Sequence, residues 1–293
     1  MLKLHVYNIA GFRIGVTLPE EVNAEKLLPS FHNFCDVTAK ENEILLFNFN
    51  YVEQTLLAPE DATVIEENES DLGHTVLKKL ADGYRIELHY DGGEVHVMHS
   101  DTIFTRLNVN ICWKDRYVSD AVSSLLRIAF AQAILLHKSI SVHASSVILD
   151  DRAYLFMGRS GTGKSTHSSL WQKSFQQCEL LNDDNPVLRV ENAAVIVYGT
   201  PWSGKTPCYK NKGRRVKGIV RLKQAPQNIF TRKEDIEGII AILPGCSVIR
   251  ADGNLYEHLF DTLTEIIENI TVGELECLPN EEAAHVCFES FTA

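Results

Sequence analysis

Gly158-Arg159-Ser160-Gly161-Thr162-Gly163-Lys164-Ser165 is a complete G-x-x-x-x-G-K-[ST] loop. Ahead of it, Ala153-Tyr154-Leu155-Phe156-Met157 reads as a short buried strand, and behind it residues 166–173 read as the start of a helix. That context is what a phosphate-binding loop requires. Glycines let the backbone N–H groups turn inward toward phosphate oxygens, and the helix N-terminus adds partial positive charge. The lysine reaches the β- and γ-phosphates, and the hydroxyl of the last residue ligates Mg²⁺. Gly158, Ser160, Gly161, Thr162, Gly163, Lys164, Ser165 and Thr166 are therefore the expected nucleotide-binding residues, with ATP and Mg²⁺ as the expected cofactors.

A second motif decides what could happen to the phosphate. Leu180-Leu181-Asn182-Asp183-Asp184 is an apolar strand ending in two carboxylates, the first of which, Asp183, lies 19 residues after Lys164. Such a strand supplies the carboxylate that holds Mg²⁺ opposite the loop hydroxyl. The short spacing allows one helix and an immediate return strand. The second carboxylate is a candidate base for a hydroxyl acceptor. The reading places the metal on Ser165 and Asp184 and the base at Asp183. Because alternate strand residues face opposite ways and the strand ends here, the assignment between the two aspartates stays open. An exposed turn with two solvated aspartates is the plain alternative.

The stretch 156–166 followed by 180–184 resembles the nucleotide site of the HPr serine kinase/phosphorylase family. It is also similar to that of ATP-dependent phosphoenolpyruvate carboxykinase. Ser141-Val142-His143-Ala144-Ser145-Ser146-Val147-Ile148, read as a strand just before that of the loop, adds to the first resemblance, which implies that His143 lies near the acidic pair and the reacting phosphoryl group. A histidine packed in the core among Val142, Ala144 and Val147 is the alternative. The resemblance spans about residues 118–225. It implies a P-loop nucleotide domain of the HPr-kinase/carboxykinase type over 116–293, in an α/β (α+β overall) chain. The first 115 residues do not resemble the N-terminal domain of HPr kinase, and no long glycine-rich signature follows Asp184. In its place stands Tyr198-Gly199-Thr200-Pro201-Trp202-Ser203-Gly204-Lys205, a motif associated with HPr-kinase-like proteins of unassigned substrate. The expected function is a kinase transferring the γ-phosphoryl group of ATP to a hydroxyl of a small molecule or protein, with Asp183 and His143 as catalytic residues. A non-catalytic nucleotide-binding module and a carboxykinase-like enzyme remain as alternatives.

The chain has 293 residues, 45% of them hydrophobic, enough for two domains with their own cores. No secretory leader is read at the start, and residues 121–136 are read as too short and too polar to span a bilayer. The seven cysteines form no C-x-x-C pair and read as reduced thiols, pointing to cytoplasm. A net charge of −11 argues against nucleic acid as a partner. The charge is uneven, however. Residues 192–233 hold ten Lys/Arg and no Asp or Glu, leaving −21 on the remainder. Following directly on the aspartate motif, this run is expected near the nucleotide mouth. Lys205, Arg214 and Arg215 are the candidates to receive an anionic acceptor, and a solvated hairpin is the alternative. The oligomeric state is left open, a homo-oligomer included.

Residues 1–115 alternate in period two, in runs at 2–7, 12–16, 44–49, 75–77, 84–90, 94–98 and 105–111. They read as an antiparallel β domain with no chemical constellation, its histidines packing across strands. A buried helix is expected over 120–138 with Ser119 as N-cap, placed beneath the sheet of the nucleotide domain. Further helices are expected at 234–243, 255–270 and 280–288, with a strand at 271–277.

Overall fold

The alternating pattern of the first 110 residues folds as an eight-stranded sheet in the computed structural model, which describes residues 1–38, 44–70 and 73–292. Its strands are β1 (Leu2–Ile9), β2 (Phe12–Pro19), β3 (Phe47–Tyr51), β4 (Thr63–Ser70), β5 (Gly73–Leu80), β6 (Gly83–His89), β7 (Val95–Asp101) and β8 (Arg106–Asn110). They lie in the order β1-β2-β3-β8-β7-β6-β5-β4, antiparallel except where β3 runs parallel to β2 and β8. The alternation failed to show β4. It is an edge strand carrying Glu66, Glu67 and Glu69, and even its Val64 is 46% exposed, so it has no apolar face to read. Part of the expected 44–49 run forms β3, and residues 39–43, 71, 72 and 293 lie outside the described residues.

The chain divides into two compact units, Met1–Ala133 and Ile134–Ala293. The boundary read from sequence, 115/116, therefore falls too early. After the short helix α1 (Ala24–Leu27), the first unit's long helix is α2 (Val118–Ala133). It buries Leu125, Leu126, Ala129 and Phe130 completely, and Phe130 meets Phe12 of β2 edge-on at 6.2 Å. It thus serves the core of the first unit, not that of the second as expected. Ser119 is inside the first turn and donates to the Leu27 carbonyl at 2.6 Å instead of capping. With the 3₁₀ turn that follows, the run Val118–His137 has 20 residues, and its most apolar window has a mean hydropathy of 1.4. By length and composition alone it could cross a membrane, contrary to the sequence reading, yet 61% of its most apolar window is buried inside the protein, as in a core helix.

The second unit is built on a nine-stranded mixed sheet. In chain order its elements are β9 (Ser139–Ser141), β10 (Ala144–Leu149), β11 (Arg152–Met157), α3 (Lys164–Ser174), β12 (Glu179–Asp184), β13 (Val187–Glu191), β14 (Ala194–Tyr198), β15 (Gly213–Gln224), β16 (Ile229–Arg232), α4 (Asp235–Ile242), α5 (Gly253–Asn269), β17 (Thr271–Cys277) and α6 (Glu281–Thr292). The order is β12-β10-β11-β15-β14-β13-β9, with β17 on the far half of β15 and β16 on β17. Successive residues of β15 face opposite ways. Val220 and Leu222 join Phe156, Trp171, Leu275 and Phe291 in one core cluster under α3 and α6. Tyr154 and Phe156 approach the Trp171 ring at 4.7 and 5.2 Å, which anchors the helix behind the loop. The helices expected in the last sixty residues are present. Asp252 caps α5 by accepting from the Leu255 N–H at 3.0 Å, and Asn280 accepts from the Ala283 N–H at 3.1 Å before α6.

One register places the site. β10 lies between β11 and β12, antiparallel to both, and Ala144 stands opposite both Met157 and Asp184. The end of β11, the start of β10 and the end of β12 therefore meet at one edge of the sheet. The phosphate loop leaves from the first, His143 precedes the second, and the two aspartates close the third. Strands about 4.8 Å apart put β11 and β12 about 10 Å apart, a gap that one histidine can face from the middle.

Candidate functional site

The loop between β11 and α3 has the geometry its glycines predict. Gly161 and Gly163 adopt φ of +78° and +108°, the left-handed region that a side chain rarely tolerates. Gly163 is the N-cap of α3, so the unpaired N–H groups of the first helical turn begin inside the loop. The hydroxyl and N–H of Thr162 both bond the Arg159 carbonyl, at 2.7 and 3.1 Å. Gln224, at the end of β15, donates to the carbonyls of Gly161 and Thr162 at 3.3 and 3.4 Å and ties the loop to the next strand. Lys164 folds back on the loop, its Nζ donating to the Gly158 carbonyl at 3.1 Å. Burial pulls this ammonium below its ordinary value, while Asp184 and Asp183 pull it the other way.

The two aspartates divide the site between them. The Ser165 hydroxyl donates to Asp183 Oδ1 at 3.0 Å. Asp183 is buried, and its other oxygen, Oδ2, is buried with no hydrogen-bond partner among the described residues. A buried carboxylate oxygen left without a partner is costly unless something positive completes it. Asp184 turns the other way. Its Oδ1 is 3.2 Å from His143 Nδ1, and its Oδ2 accepts from Asn185 Nδ2 at 2.9 Å. Its side chain is 27% exposed and that of His143 is 44% exposed, so both reach solvent. The pairing is crossed relative to the sequence reading, which joined Ser165 with Asp184 and His143 with Asp183.

His143 owes its place to a break. The single strand expected over 141–148 is two strands, β9 and β10, which pair with different neighbours. Between them, His143 is released from the sheet ladder. Its N–H donates to the Gly245 carbonyl at 2.7 Å, and its ring faces Asp184.

Sequence reasoning passed over the residues that hold this edge together. Asn182 is fully buried. Its Nδ2 donates to the Trp202 carbonyl at 3.0 Å, and its Oδ1 accepts from the N–H groups of Asn185 and Asp184 at 2.9 and 3.2 Å. The turn after β12 is thus built on one side chain. Gly204 presses on the same strand, donating its N–H to the Asp183 carbonyl at 2.7 Å, while Ser203 bridges Asp184. A Cβ at position 204 would lie 2.7 Å from that carbonyl oxygen. The readable signal was the proximity of Asn182 and the 198–205 motif to the aspartates in a chain rich in apolar strands.

The basic run is dispersed. Lys205 follows Gly204 at the aspartate edge and is exposed. Arg214 and Arg215 are not there: they begin β15, where Arg215 stands opposite Arg152 at the start of β11. The phosphate loop follows the other end of β11, five residues on, or about 17 Å. Arg214 pairs instead with Asp151 at 2.8 Å. Lys210 bonds Glu179 at 2.8 Å, Lys212 pairs with the same carboxylate, and Lys223 pairs with Glu276 at 2.6 Å. Four of the ten therefore neutralise neighbouring acids around β12, β15 and β17. The expectation that it gathers at the nucleotide mouth fails for Arg214 and Arg215.

Among the described residues no group of three or more His, Cys, Asp or Glu side chains could hold a metal ion by itself. Ser165 and Asp183 nonetheless fit Mg²⁺, which takes one or two protein oxygens and completes its octahedron with water and phosphate. The orphaned Asp183 Oδ2 is the oxygen that such an ion would complete.

No family model and no curated protein matches the chain. Among solved structures, the HPr(Ser) kinase/phosphatase from Coxiella burnetii is similar over 51% of this chain and 95% of that one, at 15% identity and a TM-score of 0.31. A likeness that low says nothing about chemistry, and the reading of the site rests on its own residues.

Proposed function

We propose that the second unit is a P-loop nucleotide domain of the HPr-kinase/carboxykinase type, and that the protein transfers the γ-phosphoryl group of ATP to a hydroxyl acceptor. The observation that carries this is the meeting, at one sheet edge, of the Ser165–Asp183 pair with its unpartnered buried oxygen and the His143–Asp184 pair open to solvent. A nucleotide switch has no need of the second pair.

In this reading the loop N–H groups and Lys164 hold the triphosphate. Ser165 and Asp183 hold the ion. A Mg²⁺ ion held there would supply charge neutralisation to the transferring phosphate. The half-buried Asp184, which reaches solvent, is the base, because Asp183 is buried and engaged with Ser165. His143 orients that carboxylate and shares its charge. The acceptor hydroxyl gives its proton to Asp184 as its oxygen bonds to the γ-phosphorus. The bond from that phosphorus to the β–γ bridging oxygen breaks, and ADP leaves. Lys205 lies at the edge from which the acceptor enters.

The test is incubation with ATP and Mg²⁺ over a panel of hydroxyl-bearing metabolites, followed by mass spectrometry of the products. With an acceptor found, Asp184→Asn is expected to lower kcat by about 10²–10⁴-fold while leaving ATP binding intact, as general-base loss does. Lys164→Ala is expected to weaken ATP binding at least about tenfold, or about 1.4 kcal/mol. Turnover of Asp184→Asn at the parent rate would remove the base, and ATP bound equally by Lys164→Ala would remove the nucleotide site.

A further inference from the structure

Two clefts flank Gly161 and Thr162, and they differ in charge. Both lie toward β15 and β17, on the side of β11 away from the aspartates. One, of about 560 Å³, is walled by Arg159, Arg221, Lys223 and Glu274. The other, of about 370 Å³, lies between the first turns of α3 and the ends of β15 and β17. Its wall has no Asp, Glu, Lys or Arg among the described residues. Leu170, Leu222, Leu278 and Pro279 give it apolar surface, and Gly161 and Gly163 of the phosphate loop also line it.

The one imidazole on its wall, His167, is engaged within the core. An indole N–H can only donate, and Trp171 Nε1 donates to His167 Nε2 at 3.0 Å, so the ring proton is on Nδ1. His167 is buried against the edge of Phe156, with ring centroids 4.7 Å apart. The cleft is therefore an uncharged slot that opens on an anion-binding loop. That division matches a nucleotide, whose phosphates need N–H groups and a cation, and whose base is flat, uncharged and apolar on its faces. The volume is within the range of small-ligand pockets. At the rim, Leu278 is 37% exposed, a large apolar side chain set beside the opening.

We infer that this uncharged cleft seats the nucleoside half of the nucleotide, with Leu170, Leu222 and Leu278 against the base. The charged cleft across Gly161 does not take it. The inference rests on the phosphate-loop reading, since it is the loop that anchors the other end of the ligand. It also gives Gln224 a task, because the residue that braces Gly161 and Thr162 also lines the cleft and so sets the angle between base and phosphates.

Calorimetric titration in Mg²⁺ with ATP, GTP and inorganic tripolyphosphate separates the two claims. The wild-type protein is expected to bind at least one nucleotide tenfold or more tightly than tripolyphosphate. Leu278→Asp is expected to reduce that preference to less than threefold while leaving tripolyphosphate affinity within twofold. Lys164→Ala is expected to weaken nucleotide and tripolyphosphate alike. If the wild type binds nucleotides no more tightly than tripolyphosphate, or Leu278→Asp leaves the preference intact, the cleft assignment falls and the loop reading stands. If neither ligand binds, both fall. Leu278→Ser repeats the comparison should a thermal melt show Leu278→Asp to be unfolded.

Discussion

His167 offers a test of the second unit's core in which sign and size both follow from the structure. Burial pushes its imidazole down from 6.5 to about 4, and no charged neighbour contributes to the shift. The folded state therefore resists protonation while the unfolded chain accepts it near 6.5. The stability tied to the neutral ring is fully present above pH 6.5 and is lost as pH falls from 6.5 toward 4. A separation of about 2.5 units at about 1.4 kcal/mol per unit corresponds to about 3 kcal/mol. His167→Gln keeps an acceptor for the Trp171 indole and removes the titration. Urea unfolding of both proteins at several pH values between 7 and 4, followed by tryptophan fluorescence, gives the two profiles. The wild type is expected to lose about 3 kcal/mol more than the variant across that range, whatever constant offset the substitution adds. Parallel profiles would show that the ring is hydrated or already charged in the folded state, and the uncharged wall of the cleft would go with it.

Gly204→Ala should act through position alone, since its Cβ would stand 2.7 Å from the Asp183 carbonyl oxygen and must push the loop off β12. A displacement approaching 1 Å costs about 10²-fold in a positioned reaction. Steady-state kinetics should thus show kcat reduced by about 10- to 100-fold with ATP binding near the parent value, and an unchanged kcat would mean that the loop does not set the aspartates. Arg214→Ala with Arg215→Ala should leave the acceptor KM within about twofold, because both residues begin β15 at the far end from the phosphate loop. A tenfold rise would place them at the mouth after all.

The phosphate loop, its strand and its helix were legible in the chain because their chemistry is local. Gly161 and Gly163 are needed where φ is positive, Lys164 and Ser165 open the helix, and an apolar run precedes them. The strands of the first unit were legible from their two-residue alternation, except β4, whose exposed acidic edge has no apolar face to alternate. Sequence also brought Asp183, Asp184 and His143 into one neighbourhood. Which aspartate faces which partner was decided by tertiary structure. Asn182 accepts the N–H groups of the next turn and fixes the direction in which the strand ends, and Gly204 presses on it from a loop twenty residues away. Charge misled for a related reason: Lys and Arg cluster in sequence between 192 and 233, but β15 alone spreads five of them over about 30 Å. A loop motif is written in consecutive residues and needs no partner to be read. The pairing of carboxylates depends on register between strands and on contacts between distant segments, and those exist only once the sheet has closed.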